Sequence, residues 1–262
     1  SFFHPDSHTF SYVVHDPATL QAAVIDPVLD YDPDTDALGA GPLQPLLAHV
    51  RGHGLQVRWL LDTHAHADHV SAGRWLKSQW PDATLAMGQG IVQVQRTFAP
   101  RYALDVPTDG SQFDHLFADG ERFTLGDIDA EVIAVPGHTS DSVAYRIGDA
   151  LFTGDSLFMP DGGTARCDFP GGDAAQLYRS IQRMLALPDA TRVFICHDYG
   201  PGGREVANQT TIGAQRAHNI HLRDGISEAD FVATRQARDA TLPEPKLMQP
   251  SVKANIQGGP ER

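Results

Sequence analysis

The sequence predicts one α/β domain, and three observations lead to this fold class. Runs of β-branched and aromatic residues alternate with amphipathic stretches, a pattern typical of helices packed outside sheets. The chain has 262 residues, which is enough to bury a large core. Its 41% hydrophobic and 20% charged residues are ordinary for a globular protein. We expect residues 1–262 to form a single domain, with a proline-rich C-terminal tail at about 241–262 lying over the surface.

The first third of the chain alternates between predicted strands and helices. Apolar residues at helical spacing, among them Leu43 and Val50, predict the first helix, and Pro81 ends the second. In chain order we expect strands at 9–15 and 22–27, a Pro/Gly/Asp-rich loop at 30–42, a helix at 43–52, a strand at 57–61, a helix within 70–80 and a strand at 84–87.

The rest of the chain predicts four further β-rich segments and two capped helices. Asp173 and Ser227 are typical N-cap residues, and each precedes an amphipathic run. In chain order we expect an irregular connection at 105–119, β-rich segments at 122–127, 130–138 and 142–155, a helix at 173–188, a β-rich segment at 191–200 and a helix at 227–239.

Charge and cysteine content exclude several classes of function. The net charge of −13 repels polyanions, so it argues against nucleic-acid or membrane-surface binding. The chain contains no run of 18 apolar residues, and its two cysteines form no disulfide framework. We therefore expect an unexported, cytoplasmic protein, with the mitochondrial matrix as the alternative compartment.

The run THAHADH, directly after the apolar stretch VRWLL, concentrates side chains that bind metals. It contains His64, His66, Asp68 and His69 within seven residues. A lone histidine is more often a satisfied core or surface residue, but four such side chains this close indicate a metal site. Imidazole and carboxylate ligands suit zinc, iron or manganese.

Three further candidates each follow an apolar β-like run: His138 in VPGHT, Asp155 in FTGD and His197 in ICHDYG. Because the ends of neighbouring strands converge at one edge of a sheet, these residues can meet the histidine-rich loop. If Asp68 and Asp155 were about 4 Å apart, their repulsion would be on the order of 4 kcal/mol at an effective dielectric of 20. A divalent cation would remove that repulsion, which favours one shared metal centre.

The order HxHxDH, PGH, GD and a late histidine resembles the metallo-β-lactamase superfamily, over about residues 9–225. The resemblance implies an αββα sandwich with a metal site at one edge of its two sheets. Within the superfamily the chain resembles the glyoxalase II branch and, more narrowly, the persulfide dioxygenases. Three stretches carry this narrower resemblance: CHDYG, SLFMPDGGTARCDFPGG and TTIGAQRAHN.

The resemblance also implies the metal and its ligands. Persulfide dioxygenases hold one Fe(II) through two histidines and one carboxylate, which here correspond to His64, His138 and Asp155. That arrangement leaves coordination positions open for a sulfur anion and dioxygen. The other four side chains would orient these ligands by hydrogen bonding or hold a second ion. These four side chains are His66, Asp68, His69 and His197. Zinc in place of iron, or a dinuclear site, is the alternative to a single Fe(II).

The leading hypothesis is an iron-dependent persulfide dioxygenase that oxidises glutathione persulfide, or a related thiol persulfide, with O2 to sulfite and free thiol. By resemblance, Tyr199, Arg166 and Arg216 are the candidates for binding the substrate, and arginine can bind a carboxylate through two hydrogen bonds. A solvated surface ion pair is the alternative for each arginine. Cys167 departs from the Cys-Gly-Arg-Thr-Asp order of better-known persulfide dioxygenases, which leaves the thiol carrier open.

Three other functions remain as alternatives. The first is a glyoxalase II-like hydrolase, which would use the same ligands to cleave a glutathione thioester with metal-activated water. The second is a lactonase or nuclease of the same superfamily, of which the acidic charge opposes the nuclease. The third is a metal-binding module without catalysis. A homodimer is an expectation from the family alone.

Overall fold

A computed structural model describes residues 1–261 and shows four layers in the order helix, sheet, sheet, helix. Two six-stranded sheets pack face to face, and helices cover the outer face of each. The predicted αββα sandwich is therefore confirmed. This architecture follows from sheets that are apolar on both faces, since each face has to be covered.

The first sheet has a parallel inner part and an antiparallel edge, and a small third sheet extends it. Its strands are, in spatial order, β1 (Phe2–His4), β2 (Thr9–His15), β3 (Gln21–Ile25), β6 (Gln56–Leu61), β8 (Thr84–Gly88) and β9 (His115–Phe117). The third sheet has the order β5 (Ala37–Gly39), β4 (Val28–Asp32) and β7 (Val70–Ser71). The helices on this side are α1 (Leu43–Gly52), α2 (Gly73–Gln79), α3 (Ile91–Arg101) and α7 (Met248–Asn255).

The second sheet is antiparallel except where β13 pairs with β14. Its strands are β10 (Arg122–Leu125), β11 (Ile128–Ala134), β12 (Val143–Ile147), β13 (Ala150–Phe152), β14 (Arg192–Phe194) and β15 (Gln209–Thr211). Its outer face is covered by α4 (Ala174–Leu185), α5 (Ile212–His218) and α6 (Glu228–Asp239).

Two helix starts confirm the capping predictions. The Asp173 side chain accepts a hydrogen bond from the backbone N–H of Gln176, and that of Ser227 accepts one from Asp230. Such caps satisfy N–H groups that have no partner within the helix, and each stabilises by about 1 kcal/mol. The helix predicted at 43–52 has the bounds found for α1.

The predicted loop at 30–42 contains a β-hairpin instead, formed by the end of β4 and by β5. Its turn is closed by the Asp32 carboxylate, which accepts hydrogen bonds from Asp34 N and Thr35 Oγ1, and Asp36 adopts a φ of 57°. The Asp and Pro residues that suggested an irregular loop therefore form a tight turn. Similarly, the connection at 105–119 contains β9, the segment at 70–80 begins as strand β7, and α3 was not predicted.

The predicted surface tail is corrected over 248–256, where α7 packs into the core. Met248, Val252 and Ile256 are at most 5% exposed and contact the apolar cluster beneath the first sheet. Proline-rich flanks suggested an extended tail, but these apolar residues recur every four positions and form one buried stripe. Within residues 1–261, none of the helices has the length and apolar character needed to cross a bilayer.

Candidate metal centre

The structure brings all seven predicted donors to one edge of the sandwich. The histidine-rich loop follows β6, and the other donors follow three strands of the second sheet. His138 comes after β11, Asp155 lies in a 3-10 turn after β13, and His197 comes after β14. Strand ends of both sheets therefore converge here, as expected from the sequence.

The donors form two adjacent groups, within each of which the ligand atoms lie within 4.8 Å of one another. One group is His64, His138 and Asp155, the set that the resemblance assigned to iron. The other contains the remaining four residues: His66, Asp68, His69 and His197. The imidazole nitrogens and carboxylate oxygens are close together, and every donor except the half-buried Asp68 is buried, which is how metal ligands are arranged.

Buried polar atoms without partners show that these side chains fit a metal. A buried polar atom without a hydrogen bond costs free energy, so such atoms are rare in native proteins. Within residues 1–261, five donor atoms of the centre have no hydrogen-bond partner: His64 Nε2, His66 Nδ1, His69 Nε2, His197 Nε2 and Asp155 Oδ1. A cation bound among them would satisfy these lone pairs.

The opposite nitrogen of His66 contacts a buried carboxylate that the sequence analysis did not single out. His66 Nε2 lies 3.1 Å from Asp26 Oδ1, and Asp26 also accepts hydrogen bonds from Thr63 N and Oγ1. Burial raises the pKa of Asp26 to about 6. A carboxylate behind a metal-binding imidazole fixes its tautomer and raises its basicity. In the sequence, Asp26 comes directly after a buried strand, and this position, like that of Asp155, could have indicated a role at the site.

Backbone carbonyls hold two other imidazoles. His138 Nδ1 donates to the carbonyl of Arg166 at 2.7 Å, and His197 Nδ1 lies 3.2 Å from the carbonyl of Ser7. Because a carbonyl oxygen only accepts, the bonded nitrogen carries the proton and leaves Nε2 free as a ligand. In both residues Nε2 lies on the side of Asp155, at 3.6 Å and 3.3 Å from its oxygens.

The electrostatics separate neutral ligands from a charged one. Burial, together with neighbouring imidazoles, holds the pKa of His64 and His66 well below the usual value, so both are neutral near pH 7. Burial alone would lower the pKa of His197, but the carboxylates of Asp155 and Asp68, each 3.3 Å from Nε2, raise it. The two carboxylates therefore favour positive charge at this position, either on the His197 ring or on a bound cation.

Glycine is required next to two of the donors. Gly137, before His138, has a φ of 139°, and a Cβ there would lie 2.3 Å from the backbone N of Leu177. Gly154, before Asp155, has a φ of 52°, and its Cβ would lie 2.5 Å from Thr63 Oγ1. Close approach and left-handed backbone therefore explain why PGH and GD contain glycine.

A cavity of about 400 Å³ opens onto the donors His138, Asp155 and His197. Tyr199, one predicted substrate-binding residue, lies on its wall with 59% of its surface exposed and stacks on the His197 ring at 6.2 Å. Much of the remaining wall is apolar and is formed by Ala67, Phe158, Phe169, Pro201, Leu242, Pro243 and Pro245.

The two predicted substrate-binding arginines differ in position. Arg166 lines the cavity, but its guanidinium makes two hydrogen bonds to Asp168, at 2.6 and 2.7 Å. Arg216 is absent from the described residues that line the cavity and pairs with Asp189 and Asp224 at 3.0 Å each. The prediction for Arg216 is therefore corrected, because its charge is neutralised by surface carboxylates outside the cavity.

Sequence reasoning missed two arginines of helix α6 that do line the cavity, Arg235 and Arg238. Arg235 is buried against Asp239. The Arg238 guanidinium makes no ion pair or hydrogen bond within residues 1–261 and is exposed. Their spacing of three residues on one helix face was the available signal, but nothing in the sequence indicated which way that face points.

Neither cysteine is placed or charged to act as a nucleophile. Cys167 is 7% exposed, and burial raises the pKa of its thiol to about 12. Cys196 is 1% exposed, and burial raises its pKa as well. Because the thiolate is the reactive form, both are inert thiols near neutral pH.

Comparison with known proteins identifies the family from this fold and donor set. The model of the metallo-beta-lactamase superfamily matches residues 4–197, which is most of the chain. The chain belongs to the metallo-beta-lactamase superfamily. This is a metal-binding superfamily, and the donors described above all lie within the matched residues.

Relatives within the metallo-beta-lactamase superfamily carry different functional names. The chain is 50% identical to "Beta-lactamase hydrolase-like protein" of Agrobacterium fabrum, over 99% of this chain but only 60% of that relative's length. It is 43% identical to "Glyoxylase B2" of Dictyostelium discoideum, over 97% of this chain and 88% of the relative. It is 29% identical to "Persulfide dioxygenase ETHE1, mitochondrial" of Homo sapiens, over 98% of this chain and 87% of the relative.

A solved structure of the superfamily is similar over nearly the whole fold. The crystal structure of ETHE1 from Myxococcus xanthus is 32% identical, with a TM-score of 0.79, and the match covers 98% of this chain and 97% of that one. The similarity therefore includes the helices that follow residue 197.

Proposed function

We propose that this protein is an iron-dependent persulfide dioxygenase. One glutathione persulfide, one dioxygen and one water would give glutathione, sulfite and two protons, with the outer sulfur oxidised and dioxygen reduced. The observation that carries the proposal is the group of two imidazoles and one carboxylate, His64, His138 and Asp155, of which His138 and Asp155 line an open, largely apolar cavity. Similarity to ETHE1 over 98% of the chain supports it.

The proposed ligands of Fe(II), one ion per chain, are His64, His138 and Asp155. Ferrous iron supplies the redox chemistry that lets dioxygen react with a sulfur anion. The protein contributes the position of its own groups: the Arg166 carbonyl fixes the His138 tautomer, and Thr63 Oγ1 lies 3.1 Å from His64 Nδ1. Burial lowers the pKa of His64, which is therefore neutral near pH 7 and able to bind a cation.

The remaining donors, His66, Asp68, His69 and His197, would orient the ligands and balance charge. Asp68 Oδ2 lies 3.3 Å from His197 Nε2, and His197 lies at the same distance from Asp155 Oδ1. His197 Nε2 therefore lies between the two carboxylates, which raise the pKa of its imidazole.

The cavity wall suits a small thiol carrier. Phe158, Phe169 and Leu242 form apolar parts of this wall, which would limit the access of water to the reacting sulfur, and Tyr199 lies on the same wall. We propose that Arg238, whose charge is unpaired within residues 1–261, binds a carboxylate of the carrier. Arg166 can contribute only while it also holds Asp168.

A hydrolase of the glyoxalase II type is the second candidate, and two observations favour it. All seven donors of a dinuclear site are present, in two complete groups. The relatives with hydrolase and glyoxylase names are 50% and 43% identical to the chain, more than the human persulfide dioxygenase. In this alternative, two cations would activate water against a glutathione thioester.

Parallel assays with and without oxygen separate the two candidates. Apoprotein is loaded with Fe(II) or Zn(II) and offered glutathione persulfide or S-lactoylglutathione, in air and under argon. The dioxygenase proposal predicts sulfite from the persulfide only with iron and only in air. Thioester hydrolysis that proceeds equally under argon, without sulfite production in air, would establish the hydrolase instead.

A further inference from the structure

Helix α6 carries a buried ion pair that no step of the proposed reaction uses. The side chains of Arg235 and Asp239, one helical turn apart, are 2% and 6% exposed and contact each other directly. Removing two charges from water is costly, and their attraction repays that cost only with good geometry and further hydrogen bonds. The hydrogen bonds that Arg235 and Asp239 make to other residues therefore indicate the role of this ion pair.

Those partners lie at the two ends of one short loop, residues 164–167, which follows the Asp155 turn. Arg235 Nη1 donates to the carbonyl of Thr164 at 2.7 Å. The backbone N–H of Cys167 donates to Asp239 Oδ2 at 2.8 Å. The ion pair thus holds both ends of the four-residue loop.

The inner side of the same loop contacts two proposed metal ligands. The Arg166 carbonyl accepts the hydrogen bond from His138 Nδ1 at 2.7 Å. The backbone N–H of Ala165 donates to the carbonyl of Asp155 at 3.3 Å. A shift of this loop would therefore move the His138 ring and the backbone that carries the Asp155 carboxylate.

We propose that Arg235 and Asp239 are positioning residues of the metal centre. Through loop 164–167 they fix His138 and Asp155 at the distance and orientation needed to bind a cation. The inference rests on the proposed function of these two residues as metal ligands. The ion pair lies beyond the residues that match the superfamily model, which end at 197.

Helix α6 is anchored to the core independently of this pair. Phe231, on the same helix, is fully buried in the apolar cluster beneath the second sheet. Its ring contacts that of Tyr178 on α4 at 5.6 Å. Removing the ion pair is therefore expected to release the loop without detaching the helix.

The test replaces the pair by apolar residues, Arg235→Met with Asp239→Leu, so that no buried charge is left unpaired. The matched control is Arg179→Gln with Glu228→Gln, which removes an exposed ion pair between α4 and α6. Apoproteins are titrated with Co(II), and affinity is measured by competition with a chelator. The d–d absorption of bound Co(II) reports the ligand geometry independently of turnover.

We expect the double variant to bind Co(II) about ten- to a hundredfold more weakly, with an altered d–d spectrum, and the control to match wild type. A folded double variant with wild-type affinity and spectrum would overturn the inference. Asp239→Glu provides the same test if the double variant does not fold. It keeps the charge but displaces the carboxylate from Cys167 N, so we expect weaker Co(II) binding, and unchanged binding would again overturn the inference.

One further outcome separates this inference from the function on which it rests. Wild-type apoprotein that binds no Co(II) would overturn the proposed metal centre itself and the inference with it. Wild-type binding with unaffected variants would overturn only the role of the ion pair.

Discussion

Most imidazoles of the centre have one nitrogen held by the protein and the other free of protein partners. His64, His66 and His69 are bonded on one side to Thr63, Asp26 and Thr9, respectively, and their opposite nitrogens lack hydrogen bonds within residues 1–261. This arrangement defines which atom of each ring can bind a cation.

Substitution of Asp155 by Ala tests the proposed carboxylate ligand. Because Asp155 lies within reach of both His64 and His138, at 3.8 and 3.6 Å, we expect bound iron and oxygen uptake to fall together to background. Elemental analysis and an oxygen electrode measure the two quantities. Asp149→Ala, at an exposed aspartate in the turn between β12 and β13, serves as control. Retention of iron in Asp155→Ala would mean that the ligand set is misassigned.

Substitution of Arg238 by Gln tests recognition of the carrier. Loss of one charge-assisted hydrogen bond is expected to raise KM for glutathione persulfide about ten- to a hundredfold, with kcat retained. KM for the persulfide of 2-mercaptoethanol, which carries no carboxylate, should change little. Arg216→Gln is the control, since this residue lies outside the cavity lining. Equal effects on both substrates would argue against a carboxylate contact.

Sequence reasoning found the donors and failed on the arginines for a physical reason. Donor residues follow apolar runs directly, so local pattern and convergence of strand ends were enough to predict that His138 and Asp155 meet. Whether the charge of an arginine is paired or free depends on residues that are distant in sequence. Arg216 is neutralised by Asp189 and Asp224 from other segments, and Arg238 has no partner within residues 1–261, which no local pattern reveals.

At the scale of elements, the C-terminal helix α7 holds the histidine-rich loop. Asn255 Nδ2 donates to the carbonyls of His66 and His69 at 2.9 and 2.8 Å, and its Oδ1 accepts from Ser71 N at 2.8 Å. The sequence predicted a surface tail here because the segment is short and flanked by prolines. This segment becomes a buried helix because it packs into a groove beneath the first sheet, and elements distant in sequence form that groove.

Asn255→Leu tests this contact. It leaves three buried backbone groups without their partner, at about 1–3 kcal/mol for each unsatisfied group. We expect the free energy of unfolding in urea to fall by at least about 3 kcal/mol. Gln249→Leu, at an exposed position of the same helix, should stay within about 0.5 kcal/mol of wild type. Equal stability of the two variants would contradict a role of α7 in holding the loop.

At the scale of the whole molecule, the four-layer fold could be predicted because alternating apolar runs and the family resemblance agree. The hairpin at 28–39 and strand β9 could not, because both are short and depend on neighbouring strands for their hydrogen bonds. The single domain, the homodimer and the cytoplasmic location stay predictions. The chain spans 60% of the length of the Agrobacterium relative, so the activity of a longer protein is also a proposal.

Stability should fall in acid, partly through His221. Burial, followed by the charges of Arg235 and Arg238, lowers the pKa of His221 from 6.5 to about 4. The unfolded chain therefore binds more protons than the native protein between about pH 4 and 6.5, and stability rises with pH over that range. His221→Asn keeps an acceptor for Thr164 N. It should reduce the pH dependence of the free energy of unfolding by the equivalent of up to one bound proton. Urea unfolding at several pH values measures it, and an unchanged slope would contradict the assignment.

We propose that these donors hold iron for a reaction that consumes oxygen. Dioxygen and sulfite can be followed together while iron-loaded protein turns over glutathione persulfide. We expect one dioxygen to be consumed for each sulfite formed, and no sulfite when oxygen is removed. Sulfite-free turnover, or persulfide loss without oxygen uptake, would contradict this proposal.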